Sequence, residues 1–295
     1  MKQDILNVTH NWADGSANIA IEGLEAPVRI LHLTDVHLRY IDERDIHQQD
    51  NIQEETRTVG GPHQLGFYEL MEQAPSMNLD LLVFTGDMMH WPTKANIERL
   101  KETADKTGVP FIFTSGNHDY LYPQLKTGFE KRQEMWPVLD PLTEGQPECF
   151  NADVGGIRFV GIDNSLYQVT PRQLAFAKEQ LAKGMPTVFI MHIPISLSTL
   201  RPAAIDYWGA PILMGDLRWD QDSEDRKWTT QWNTPETLEF LHLMSFSPNL
   251  VAILSGHLHF NHADSINRNA VQYVTEAGWD GAHRLVEFAP LIREP

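Results

Sequence analysis

Residues 109–120 read VPFIFTSGNHDY: an apolar run, Val109–Thr114, is followed by Ser115, Gly116, Asn117, His118 and Asp119. The run has the length and composition of a buried strand. A strand that stops for packing reasons alone does not end by presenting an amide, an imidazole and a carboxylate in a row. The same pairing of apolar run and polar ending recurs four times. Val28–Thr34 leads into Asp35-Val36-His37, Asp80–Thr85 into Gly86-Asp87, and Thr187–Met191 into His192. Asn249–Leu254 leads into Ser255-Gly256-His257-Leu258-His259.

Ligand sites in open α/β sheets lie beyond the carboxyl ends of strands, so these five ends are expected to converge. In extended chain, residues two apart point the same way, which would pair Asp35 with His37 and His257 with His259. Gly86, Gly116 and Gly256 allow sharp turns and close backbone approach beside them. The donors are oxygen and imidazole nitrogen, without thiolate. That set suits Mn, Fe, Zn or Ni better than a cysteine-rich structural zinc site or an all-oxygen calcium site. Asp35, His37, Asp87, Asn117, His192, His257 and His259 are too many ligands for one tetrahedral ion. They are about right for two ions sharing a carboxylate.

Further strands are expected at Gly156–Ile162, Val271–Thr275 and Arg284–Phe288, and helices at Phe67–Gln73, Thr93–Lys106, Pro171–Lys183 and Thr234–Met244. Thr93 reads as an N-cap, and Thr234-Pro235-Glu236 as a helix start with proline in the first turn. The alternation predicts a layered α/β core, with antiparallel pairing toward the C-terminus. Two segments interrupt it: residues 39–66, polar and histidine-containing, and residues 197–233, rich in tryptophan, proline and acid. Both read as insertions on one domain spanning residues 1–295, since loops of this length commonly form lids or binding loops.

The 42% apolar content is that of an ordinary globular chain. The N-terminal residues lack the apolar stretch of a secretory signal, and no run approaches the ~18 to 20 apolar residues of a membrane span. A soluble, cytoplasmic protein is the expectation. Cys149 is the single cysteine, which excludes an intrachain disulfide and reads as a packing residue. The net charge of −17 argues against an extended nucleic-acid or anionic-membrane surface. It leaves room for a small anionic substrate, because bound metals reverse the local sign.

The series Asp35-x-His37, Gly86-Asp87, Gly116-Asn117-His118-Asp119, His192 and Gly256-His257-x-His259 resembles the calcineurin-like metallophosphoesterase family. All five motifs stand in the family's order. The resemblance implies a two-layer β-sandwich flanked by helices, mixed in strand direction, and a dinuclear metal centre. It implies one ion on Asp35, His37, Asp87 and His259, and a second on Asp87, Asn117, His192 and His257, with Asp87 bridging. A shared carboxylate holds two cations roughly 3.5–4 Å apart, which suits in-line displacement at phosphorus by a hydroxide between them. His118 would protonate the leaving oxygen or stabilise the transition state. Asp119 would cap the loop in preference to orienting His118.

One position departs from the purple acid phosphatase branch: His90 stands where that branch has a metal-bound tyrosine. No charge-transfer tyrosinate is expected, and His90 reads as a support or packing residue in preference to one that approaches the metals. His10, His32, His242 and His283 read as structural. His47 and His63 lie in the first insertion and read as structural in preference to lining a lid, and His262, close behind the His257-x-His259 turn, is a candidate support for the ligands. Tyr207, Trp208, Trp219, Trp228 and Trp232, with Arg201 and Arg218, read as a small satellite core and less readily as a base-stacking surface.

The expected activity is metal-dependent phosphoester hydrolysis, a diester favoured over a monoester, on a small substrate with a nucleotide among the candidates. The motif set is similar to that of class III cyclic-nucleotide phosphodiesterases. Protein phosphatases of the family carry Gly-Asp-x-x-Asp-Arg-Gly where this chain has Gly86-Asp87-Met88-Met89-His90-Trp91-Pro92. The alternatives are a phosphomonoesterase and a non-catalytic metal-binding scaffold.

Overall fold

The computed structural model describes residues 6–48, 64–120, 128–218 and 233–292. The strands among them form two six-stranded mixed sheets. The first runs β1 (Val8–Ala13), β2 (Ser16–Ile21), β12 (Arg284–Pro290), β3 (Val28–Leu33), β4 (Leu81–Thr85), β5 (Phe111–Thr114). The second runs β10 (His262–Ser265), β11 (Val271–Val274), β9 (Leu250–Ser255), β8 (Thr187–Ile190), β7 (Ile157–Ile162), β6 (Cys149–Val154). The central strands are parallel: β3, β4 and β5 in one sheet, and β7, β8, β9 and β11 in the other. Antiparallel pairs join β12 to β3 and β10 to β11, as expected near the C-terminus.

Burial on both faces explains why the central strands read as unbroken apolar runs. In β3, Ile30 faces the space between the sheets, packing with Val83, Phe159, Val188, Leu254 and Phe288. Its neighbours Leu31 and Leu33 face outward with Leu82, Phe84 and Phe113, under helices Leu65–Gln73, Lys94–Lys106 and Phe129–Thr143. On the far face, Val160, Ile162, Phe189 and Ile253 lie under helices Pro171–Ala182 and Pro235–Phe246. The result is two sheets face to face with helices outside both. Each fully buried Leu or Phe in these layers contributes roughly 1.5–3 kcal/mol.

Helix starts follow the expected chemistry. Thr93 Oγ1 accepts the Asn96 amide at 3.1 Å, and Thr234 Oγ1 accepts that of Thr237 at 3.2 Å. Thr170 and Gln173 close a reciprocal capping box. Such caps are each worth about 1 kcal/mol.

The β1–β2 hairpin, β6 and β10 are not legible as strands: β1, β6 and β10 are edge segments rich in polar residues, and β2 is a short Ala/Ile segment interrupted by Ser16 and Asn18. Helix Phe129–Thr143 contains Pro137 and Pro141, which break a helical reading of its sequence. Within the second insertion, helix Leu200–Trp208 places Leu200 and Ala204 against Ala210, Ile212, Leu213, Leu258 and Val274. A satellite core does form here, but from aliphatic residues with Trp208 packed against it, while Tyr207 is exposed; Trp219, Trp228 and Trp232 lie outside the described residues, as do His63 and the side chain of His47. Cys149 is buried, and burial pushes its thiol up to about 11, in keeping with a packing role. No helix among the described residues is long and apolar enough to cross a membrane.

Candidate metal centre

The ladder between β3 and β4 continues past both strand ends. Asp35 N donates to Gly86 O at 3.0 Å, His37 N to Asp87 O at 2.9 Å, and Leu38 N to Met88 O at 3.0 Å. His90 N returns a bond to Leu38 O at 2.9 Å. The segments carrying Asp35, His37 and Asp87 are therefore fixed to one another by backbone.

The expected extended geometry of the paired ligands is corrected here. Asp35, His37 and Asp87 have φ of 52°, 51° and 50°, and His257 and His259 have 70° and 61°. All five are left-handed, a conformation costing a non-glycine residue of order 1–3 kcal/mol and concentrated at functional sites. The intervening Val36 and Leu258 are fully buried among apolar neighbours. Each pair thus aims its polar side chains at the site while its middle residue anchors in a core.

The glycines act mainly through close approach. A Cβ on Gly256 would lie 1.9 Å from Thr34 Oγ1 and 2.3 Å from Asp35 Oδ2. One on Gly116 would lie 2.2 Å from Asp87 Oδ1.

Six of the seven expected ligands meet in two groups, Asp35/His37/His259 and Asp87/His192/His257, whose donor atoms within each group lie within 4.8 Å of one another. His259 Nε2 is 3.2 Å from Asp35 Oδ1, and His37 Nε2 is 3.8 Å from the same oxygen. Asp87 Oδ2 lies 3.2 Å from His192 Nε2 and 4.0 Å from His37 Nε2, so it faces both groups. The other carboxylate oxygens are held by protein: Asp35 Oδ2 accepts the His257 amide at 2.8 Å and the Thr34 hydroxyl at 2.7 Å, and Asp87 Oδ1 accepts the His118 amide at 2.7 Å. His192 Nδ1 donates to Thr85 O at 2.8 Å, which leaves the Nε2 lone pair toward Asp87.

These residues fit a metal pair. Asp35 Oδ1, Asn117 Oδ1 and His192 Nε2 are buried and make no hydrogen bond, and each can offer a lone pair to a cation. Asp35 and Asp87 are 0% and 1% exposed, and no lysine or arginine among the described residues is paired with either. A buried carboxylate without a cation is costly. Burial pulls the His192 imidazole down, but the Asp87 charge prevails and raises it to about 9, so the Nε2 side facing Asp87 favours a positive charge. Burial pushes Asp87 up, yet His192 and His118 hold it well below the usual carboxylate range. Burial and the His192 charge lower His257 to about 3.

His118 stands at the margin, partly exposed, its ring 4.8 Å from that of His37 and stacked at 4.5 Å on His90. Asp119 does cap the loop: Oδ2 accepts the amides of Asp87 and Gly116, each at 2.8 Å, and Oδ1 that of Met89 at 3.0 Å. His90 Nδ1 lies 3.1 Å from His37 Nδ1.

The remaining histidines have structural partners. His32 bonds Thr85 Oγ1 at 2.7 Å and Thr275 Oγ1 at 3.0 Å; His10 bonds the Tyr273 hydroxyl and Asn269 O, both at 2.9 Å. His242 packs on Phe246, and His283 bonds Gly281 O at 2.8 Å. His262 bonds Thr199 at 2.9 Å and supports the second insertion, not the metal centre.

Two supports were not visible in the sequence. Tyr167, itself left-handed at φ 63°, brings its hydroxyl to 2.8 Å from His257 Nε2. Asp163, beyond β7, accepts from Tyr120 and Arg132, both at 2.7 Å, and so anchors the short 3-10 helix His118–Tyr120. Trp279 packs 4.9 Å from His259.

This constellation, at the ends of a two-sheet sandwich, defines a class of metal-binding phosphoesterase folds. The model of the calcineurin-like phosphoesterases matches residues 28–261, and the chain belongs to that family. A probable cyclic nucleotide phosphodiesterase of Psychrobacter arcticus is 30% identical over 98 residues, 32% of each chain. The match thus spans about a third of that relative's length. Among solved structures, a dimetal phosphatase from Danio rerio is similar at a TM-score of 0.54 and 13% identity, covering 88% of this chain and 92% of that one. The yellow lupin (Lupinus luteus) purple acid phosphatase PPD1 is similar at 0.53 and 15%, covering 94% and 49%.

Proposed function

We propose that this chain is a metal-dependent phosphohydrolase that acts on a small phosphodiester more readily than on a monoester. The carrying observation is the placement of Asp87 between two groups of donors whose carboxylates have no lysine or arginine partner among the described residues. Asp35, His37, Asp87 and His259 would hold one ion, and Asp87, Asn117, His192 and His257 the other. When bound, such a pair lowers the pKa of water and neutralises phosphoryl oxygens. The donor set fits Mn, Fe, Zn or Ni.

The chain's own residues supply the rest. The left-handed loops preset the donors, so little reorganisation accompanies loading. His118, partly exposed beside buried ligands, is placed to give a proton to the leaving oxygen. Preference for a diester is supported by the likeness to the probable cyclic nucleotide phosphodiesterase of Psychrobacter arcticus and by the absence of the protein-phosphatase sequence after Asp87. A nucleotide is among the substrates this reading admits, and a cytoplasmic setting suits the lone buried cysteine.

Hydrolysis of bis-p-nitrophenyl phosphate and p-nitrophenyl phosphate, with Mn²⁺ added, tests the reading. Faster turnover of the diester is expected. Faster monoester turnover would make the chain a phosphomonoesterase, and metal uptake without hydrolysis of either would make it a binding scaffold.

A further inference from the structure

His90 belongs to neither of these two groups; with His37 and His118 it forms a third cluster whose ring nitrogens also lie within 4.8 Å of one another, so it touches a ligand of the first ion and the candidate acid. It is 5% exposed, and three rings pack around it: Trp91 edge-on at 4.7 Å, His118 stacked at 4.5 Å with 25° between planes, and His37 at 5.2 Å. Its backbone is bonded to Leu38, next to His37.

The tautomers follow from geometry. His37 Nε2 faces Asp35, Asp87 and His259 Nε2, the last at 3.3 Å. To offer a lone pair there, His37 must carry its proton on Nδ1. The neighbour of that nitrogen is His90 Nδ1 at 3.1 Å, which must then accept, with the His90 proton on Nε2. A ligand imidazole held through its other nitrogen keeps its tautomer and orientation, and loss of such a partner typically costs about 10–100-fold in metal affinity.

We propose that His90 is a positioning residue with two separable duties: its Nδ1 fixes His37 as a ligand of the first ion, and its ring face holds His118 for proton delivery. The inference rests on the hydrolase reading for the second duty only. The two contacts use different parts of the imidazole, so two substitutions divide them. His90→Asn keeps an acceptor oxygen near the Nδ1 position and removes most of the ring face. His90→Phe keeps a ring face and removes the acceptor.

Cobalt titration of metal-depleted protein reads the first duty without turnover. His90→Phe should weaken the first ion by about 10-fold or more, with His90→Asn close to the intact protein. Diesters with good and poor leaving groups read the second. With metal saturating, His90→Asn should lose kcat about 10-fold or more on an alkyl leaving group, which needs a proton, and little on p-nitrophenolate, which does not. KM should change little. Wild-type cobalt affinity in both variants overturns the first duty, and equal losses on both leaving groups overturn the second. Equal damage to both properties in both variants reduces His90 to packing and overturns the whole proposal. A chain that binds cobalt yet hydrolyses no ester overturns the hydrolase reading together with the second duty, while the cobalt titration still decides the first.

Discussion

Asp119 Oδ2 accepts the backbone amide of Asp87 at 2.8 Å, so the residue that ends one motif sets the position of the carboxylate in another. The same oxygen takes the Gly116 amide, and Oδ1 that of Met89. In Asp119→Asn the side-chain NH₂ must face at least one backbone N–H. A buried unsatisfied donor costs about 1–3 kcal/mol. The expected result is a comparable fall in urea-unfolding stability with weakened uptake of both ions, since Asp87 faces both groups. Unchanged stability and stoichiometry would show that the loop keeps its form without this cap.

Tyr167 should matter to one ion only. Its hydroxyl engages His257 Nε2 at 2.8 Å, so Nδ1 is the nitrogen that His257 can offer to the second ion. Tyr167→Phe keeps the ring contact at 5.4 Å and removes the hydroxyl. The expected outcome is about 10–100-fold weaker binding of the second ion with the first unaffected, read by stepwise metal titration. Equal weakening of both would point to a general loosening of the site.

His118→Ala should separate metal binding from turnover. The side chain makes ring contacts with His37 and His90, while its backbone amide, retained in the variant, holds Asp87. Two ions should still bind, and kcat on a substrate with a poor leaving group should fall about 10²–10⁴-fold. Loss of metal would assign His118 to the ligand set.

His32 predicts acid sensitivity. Burial, with the Arg284 charge adding to it, pushes its pKa from 6.5 down to about 3. The unfolded chain therefore takes up a proton that the folded chain refuses. Its contribution to stability is complete above pH 6.5 and is lost as pH falls from 6.5 toward 3. Between pH 7 and pH 5 the loss is about 2 kcal/mol. Urea unfolding of the intact protein and His32→Gln at both pH values checks this: the variant should lose less stability over the interval. Parallel losses would assign the acid sensitivity elsewhere.

The sheets and the ligand set were legible because one physical fact serves both. Strands buried on two faces must be apolar throughout, so the polar residues that end them stand out against the run, as Asn117 does after Phe113. Edge strands such as β1 and β6 carry alternating polar residues on short segments and give no such contrast. The helix at Phe129–Thr143 was hidden by Pro137 and Pro141, which its packing against the first sheet overrides. Within the site, ligand identity could be read from motif order, but the left-handed backbone of Asp35 and His257 could not, since either residue type also accepts extended geometry. The supports Tyr167 and Asp163 depend on contacts across 90 and 43 positions, and nothing local to either marks them.

Metal stoichiometry tests the central claim most directly. Protein purified without chelators and loaded with Mn²⁺ or Co²⁺ should hold two ions per chain by elemental analysis, and Asp87→Asn should lose or weaken both together. A single ion in the intact chain, or an Asp87→Asn chain that keeps one at full affinity, would contradict a carboxylate shared between two cations.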